Sequence, residues 1–151
     1  MDKRNDDAIF HCDFFQNKDA MVDPFPFTFK NIVLNERNKK LLNMINSENS
    51  IAIHIRRGDY LNPKIKSLFD GICTEKYYTT AISYIQKHIK NPHYVFFSDD
   101  THFVKEKYKL RNMTIVDWNT GTDSYLDMFM MSHCKNMILA NSTFSYCAAR
   151  F

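Results

Sequence analysis

The chain has 151 residues, 44% hydrophobic and 25% charged, the makeup of one ordinary globular domain. Its formal charge of +3 is too weak to argue for nucleic acid or an anionic membrane as partner. No run approaches the ~20 apolar residues of a membrane span, and no basic start leads into an apolar leader, so neither is expected.

Residues 1–35 are aromatic and broken by proline (Phe14, Phe15, Phe25-Pro26-Phe27, Phe29) and read as an extended, packed arm. A short helix is expected over 38–46, with Leu41, Leu42 and Ile45 at helical spacing. The apolar run at 50–55 predicts a strand, followed by a loop over 58–73. Thr74 is placed to cap a helix reaching Lys90, striped by Tyr78, Ala81, Ile82, Ile85 and Ile89 and stopped by Asn91-Pro92.

A strand at 93–97 gives way to Ser98-Asp99-Asp100, where one carboxylate is expected to cap a helix over 101–108. A strand at 113–116 and a turn at 117–121 follow. Thr122 or Asp123 is then expected to cap a helix reaching Cys134, with Leu126, Phe129, Met130 and His133 on one face. A strand at 136–140 leads to a last helix beginning near Ser142. That helix looks cut off at Phe151, so residues 36–151 read as an incomplete domain. Four strands alternating with helices predict an α/β fold, a Rossmann-like parallel sheet with flanking helices and right-handed crossovers.

Three glycines cannot supply GxGxxG or GxxxxGK, so phosphate binding would fall to side chains and helix N-termini. Cys12, Cys73, Cys134 and Cys147 contain no CxxC pair and the histidines no ligand spacing. No metal site is expected, the thiols read as free, and a reducing compartment fits best. The sequons at Asn112 and Asn141 read as chance matches.

Two adjacent arginines, Arg56 and Arg57, end a buried strand at the sheet edge where open α/β folds bind ligands. Guanidinium forks suit phosphate oxygens, and a charge beside a core is costly unless paired. The pattern therefore suggests a nucleotide diphosphate. Alternation puts His54 and Arg56 on one face of the strand, while Arg57 and Asp59 are expected to pair and hold the loop. The plainer reading is an Arg–Asp bridge capping a strand. Asn141-Ser142-Thr143-Phe144-Ser145 opens another helix with hydroxyl residues, either an anion site or a simple cap. Asp99 suits ribose or a base edge if it is not the cap. Asp127, mid-helix, reads as an exposed carboxylate unless a ligand with two donors faces it.

Ile53-His54-Ile55-Arg56-Arg57-Gly58-Asp59-Tyr60, Tyr94-Val95-Phe96-Phe97-Ser98-Asp99-Asp100 and Asn141-Ser142-Thr143-Phe144-Ser145 together resemble, in order and spacing, the three motifs of the α-1,2-fucosyltransferases, glycosyltransferase family 11. The resemblance implies the donor-binding half of a GT-B glycosyltransferase. Its expected reaction is inverting transfer of L-fucose from GDP-fucose to the 2-hydroxyl of a galactose-type acceptor, without an obligatory metal. Arg56 would be catalytic, meeting the departing diphosphate. His54 and Asp127 would hold the guanine nucleotide, and Ser142, Thr143, Phe144 and Ser145 the phosphate-side loop. Arg57, Asp59, Asp99 and Asn141 complete the expected donor site. The expected partners are GDP-fucose and a galactose-containing glycan, not nucleic acid. The expected location is cytoplasmic, with peripheral contact at the inner membrane. A catalytically inactive GDP-binding remnant and an unrelated Rossmann-type nucleotide binder remain as alternatives.

Overall fold

The computed structural model describes residues 27–151 apart from 65 and 70. The arm's Phe14, Phe15, Phe25 and Pro26, and Cys12, lie outside the described residues. Four parallel strands, β1 (Asn49–Ile55), β2 (Pro92–Ser98), β3 (Met113–Val116) and β4 (Asn136–Ile138), form one sheet in the order β3-β2-β1-β4. The helices are α1 (Glu36–Ser47), α2 (Lys66–Phe69), α3 (Glu75–His88), α4 (Thr101–Lys107), α5 (Tyr125–Ser132) and α6 (Thr143–Ala148). This is the expected Rossmann-like α/β arrangement.

Period-2 alternation splits the core between the two sheet faces. On one, Ile51, Ile53, Ile55, Tyr94 and Phe96 pack against Tyr78, Ile82 and Ile85 of α3 and Val104 of α4. On the other, Ala52, Val95, Phe97 and Val116 meet Leu41 and Ile45 of α1 and Met130 and Met131 of α5. Burying each large apolar side chain contributes roughly 1.5–3 kcal/mol, and this two-sided burial fixes the central strands β1 and β2. Phe29, just before α1, packs edge-on against Phe129 at 5.2 Å and against Phe151 at 4.2 Å.

Local caps explain most helix starts. The side chains of Asn35, Thr74, Asp100 and Ser142 each accept a first-turn backbone N–H, at the heads of α1, α3, α4 and α6. Four expectations are corrected. The 58–73 loop contains a 3-10 turn, Asp59–Leu61, as well as α2. Neither Thr122 nor Asp123 caps α5; they sit in a 3-10 turn, Gly121–Asp123, and α5 starts after Ser124 with no side-chain cap. Met131 takes the core position expected of His133, which is exposed and lies beside the Phe129 ring at 4.3 Å. β4 ends at Ile138, two residues early. α6 spans Thr143–Ala148, and helical bonding continues beyond it, the Phe151 amide meeting the Cys147 carbonyl at 3.2 Å.

Candidate functional site

The strand order sets the neighbourhood of the two arginines. β1 lies between β2 and β4, so its C-terminal loop sits between the Ser98-Asp99-Asp100 loop and the Asn141–Ser145 segment. Asp99 grips the β1 loop. One carboxylate oxygen accepts the Arg57 amide at 2.9 Å, and the other accepts the Gly58 amide at 3.0 Å and forms an ion pair with the Arg56 guanidinium at 3.0 Å. A Cβ on Gly58 would stand 2.6 Å from that second oxygen, so only glycine allows the approach.

The arginines pair differently from expectation. Arg57 does not bridge to Asp59; Arg56 does, at 2.9 Å, because the 3-10 turn carries Asp59 back toward residue 56. Arg57 instead bonds Asp100 at 3.1 Å and lies 3.6 Å from the centre of the Phe103 ring. Asp100 also caps α4, accepting the Phe103 amide at 2.9 Å. That bond, against slight burial and with help from Arg57, lowers the Asp100 pKa. Burial works to lower the Arg56 pKa, but the Asp59 hydrogen bond and the charges of Asp99 and Asp59 outweigh it, so the pKa rises.

Arg56, Arg57, Tyr60, Thr74, Cys73 and Asn141 line a cleft of about 240 Å3. The two guanidiniums and the three aspartates around them carry a net formal charge of −1 (+2 from Arg56 and Arg57, −3 from Asp59, Asp99 and Asp100). The carboxylates therefore orient the arginines more than they create a positive well. Each guanidinium has five donors, and the ion pairs use two on Arg56 and one on Arg57. The rest can meet a ligand's oxygens. Tyr60 joins the first and third motifs by donating its hydroxyl to the Asn141 carbonyl, and the Asn141 amide meets the Cys73 sulfur at 3.1 Å.

The remaining expected residues do not line this cleft. His54 is buried on the other sheet face, 5.5 Å from the Phe144 ring, with its Nδ1 lacking a hydrogen-bond partner among the described residues. Burial, then the Arg56 charge, lowers its pKa to about 4, so the ring is neutral near pH 7. Ser145 is fully buried and its hydroxyl donates to the Ala140 and Ser142 carbonyls, a structural use. Ser142 caps α6 through the Phe144 amide at 3.3 Å, and Thr143 opens the helix.

Asp127 is not the exposed helical carboxylate of the default reading. Burial pushes its pKa up to about 7, opposed by a hydrogen bond from Asn119 at 2.8 Å. Asn119 also bonds the wholly buried Asn38 in both directions, at 2.8 and 3.1 Å, and Asn38 accepts the Trp118 indole N–H at 2.8 Å. Sequence reading missed this amide network. Its members lie about eighty positions apart, and an asparagine inside a helix reads as solvated. Tyr60 was legible only as the residue closing the first motif. Among the described residues, no group of three His, Cys, Asp or Glu side chains is placed to hold a metal ion, and no helix is long and apolar enough to cross a membrane.

Comparison with known proteins gives this geometry a context. The family model described as Glycosyl transferase family 11 matches residues 4–151. An alpha-1,2-colitosyltransferase of Escherichia coli is 37% identical over 139 residues, covering 90% of this chain and 46% of that protein. The O-antigen biosynthesis glycosyltransferase WbnK of Escherichia coli is 36% identical over 124 residues, covering 74% of this chain and 41% of that protein. The chain thus spans less than half the length of these curated relatives. No solved structure matches it significantly.

Proposed function

The chain belongs to glycosyl transferase family 11, and from that premise we propose that it binds the donor in an inverting transferase. The reaction would move L-fucose from GDP-fucose to the 2-hydroxyl of a galactose-type glycan. The supporting observation is Arg56. It stands at the tip of a central strand, aimed by Asp59 and Asp99, with unspent donors on a cleft shared with Asn141.

Breaking the bond between sugar and phosphate builds negative charge on the departing diphosphate. A preoriented guanidinium stabilises that charge without reorganising, and one such contact is worth about 3 kcal/mol, or a hundredfold in rate. In this reading Arg56 meets the diphosphate, and no metal is required. Arg57, fixed by Asp100 and Phe103, holds the loop's outer side and offers its remaining N–H groups. His54, buried against Phe144, and Asp127, held by Asn119, lie away from this cleft and support the face of the sheet behind it. A cytoplasmic location with peripheral contact at the inner membrane completes the proposal.

A GDP-fucose transfer assay tests it. Arg56→Ala is expected to lower turnover about a hundredfold or more while the unfolding temperature falls by only a few degrees, the cost of its ion pairs with Asp59 and Asp99. Wild-type turnover by that variant overturns the role. The colitosyltransferase relative favours a second reading, in which the sugar moved is colitose; a preference for GDP-colitose over GDP-fucose in the same assay would select it. GDP binding without transfer of either sugar identifies the inactive remnant. A preference for ATP or NAD over GDP in a thermal-shift comparison rejects both transferase readings.

A further inference from the structure

The end of the sheet opposite the Arg56 cleft holds a second cavity, of about 520 Å3, between the last turn of α3 and the start of β3. Lys90 and Arg111 line it, together with Gln86, Asn91, Asn112 and Tyr94. β2 has seven residues of roughly 3.3 Å rise, so this cavity and the Arg56 cleft lie about 20 Å apart. They are different sites.

Parallel strands place helix C-termini at this end, where each helix dipole favours a cation. Lys109 serves that purpose in α4, its ammonium donating to the Lys105 carbonyl. Lys90 and Arg111 do not. Both are exposed, and neither meets a carboxylate among the described residues. Glu48, at the same end, is taken by His93 at 2.8 Å. Tyr94, in the cavity wall, is 3% exposed, and its buried hydroxyl has no hydrogen-bond partner among the described residues. A hydroxyl left unmet in a close-packed core is uncommon, because it loses its bond to water and gains nothing.

We propose that this cavity is a second anion site, taking a phosphate or diphosphate group between Lys90 and Arg111 with the Tyr94 hydroxyl as a further donor. Arginine offers a planar fork and lysine a compact charge, the two usual forms of phosphate recognition. Three amide side chains supply neutral donors around them, and the volume suits a small ligand. A free phosphate compound and an anionic lipid headgroup share this chemistry. The site stands whether or not the proposed transferase reaction does.

The test uses the full chain carrying Arg56→Ala, so that the first cleft is disabled. Inorganic pyrophosphate is titrated calorimetrically, and sedimentation is measured with vesicles of phosphatidylcholine and phosphatidylglycerol. Saturable one-to-one pyrophosphate binding is expected, weakened at least tenfold by Lys90→Gln with Arg111→Gln and severalfold by Tyr94→Phe. The unfolding temperature of the glutamine pair should stay unchanged. Vesicle binding lost in that same pair assigns the site to a lipid headgroup; pyrophosphate binding alone assigns it to a soluble phosphate. Absence of saturable binding to either probe, or equal binding by the glutamine pair, overturns the proposal. Undiminished pyrophosphate affinity in Tyr94→Phe removes the hydroxyl from it.

Discussion

Replacing Asp99 by asparagine keeps the side chain's size and one acceptor oxygen but converts the other oxygen into a donor. Asp99 makes three contacts: it accepts the Arg57 and Gly58 amides at 2.9 and 3.0 Å and pairs with the Arg56 guanidinium at 3.0 Å. Two of these converge on one oxygen. If the new NH2 group sits there, two bonds are lost; if it flips, one bond and the charge are lost. A hydrogen bond to a charged group is worth about 1.5–3 kcal/mol, and the side chain's 24% exposure trims the Arg56 pair toward ~1 kcal/mol. We expect a loss of roughly 2–3 kcal/mol, or about 6–9 °C in unfolding temperature for a chain of this size. If the proposed donor site is right, GDP affinity should fall at the same time, since Arg56 loses one of its two anchors. Gly58→Ala attacks the same contact from the other side, its Cβ reaching to 2.6 Å of the carboxylate, and should reproduce both effects. Scanning calorimetry and a GDP titration measure them. Wild-type values for both variants would show that Asp99 does not hold the loop, and the account of how Arg56 is aimed would fall with it.

Asn119→Ala leaves the Asn38 amide N–H groups buried without an acceptor and removes the Asp127 donor; urea denaturation should show a loss of about 2–3 kcal/mol. Asp127 has a folded-state pKa raised to about 7, so it stays protonated where the unfolded chain ionises. Its contribution is fully present below about pH 4 and is lost as pH rises through 7. Asp127→Asn keeps an acceptor for Asn119 and should be more stable than wild type at pH 8, the difference vanishing near pH 4 in parallel thermal melts. His54 behaves oppositely: its pKa is depressed to about 4, so its contribution is full above pH 6.5 and is lost as pH falls toward 4. His54→Leu should flatten that acid limb. An acid limb equally steep in the variant would assign the loss to other groups.

Much of the fold was readable along the chain because its causes are local. Thr74 caps α3 since a threonine just before a helix can turn its hydroxyl onto the first-turn amides, whatever lies elsewhere. The alternation that puts Ile51, Ile53 and Ile55 on one face and Ala52 and His54 on the other is a property of extended backbone. The start of α5 differs from expectation for an equally local reason: a 3-10 turn and a helix share their first residues' composition, and only the closing hydrogen bonds differ. The site's motifs were also visible, because three polar clusters follow three apolar runs.

Sequence alone therefore determined which residues form strands, which end of the sheet collects the polar clusters, and that two fixed positive charges sit there. It could not choose their partners. Arg57 and Asp59 are close in sequence, yet Arg56 takes Asp59 and Arg57 takes Asp100, because the order β3-β2-β1-β4 sets the β2 aspartates beside the β1 tip and the 3-10 turn folds Asp59 back. Asn38, Asn119 and Asp127 were likewise joined only by packing α1 and α5 on the same face. Hydrogen bonds and ion pairs act over about 3 Å, and which groups come that close is settled by how the elements pack.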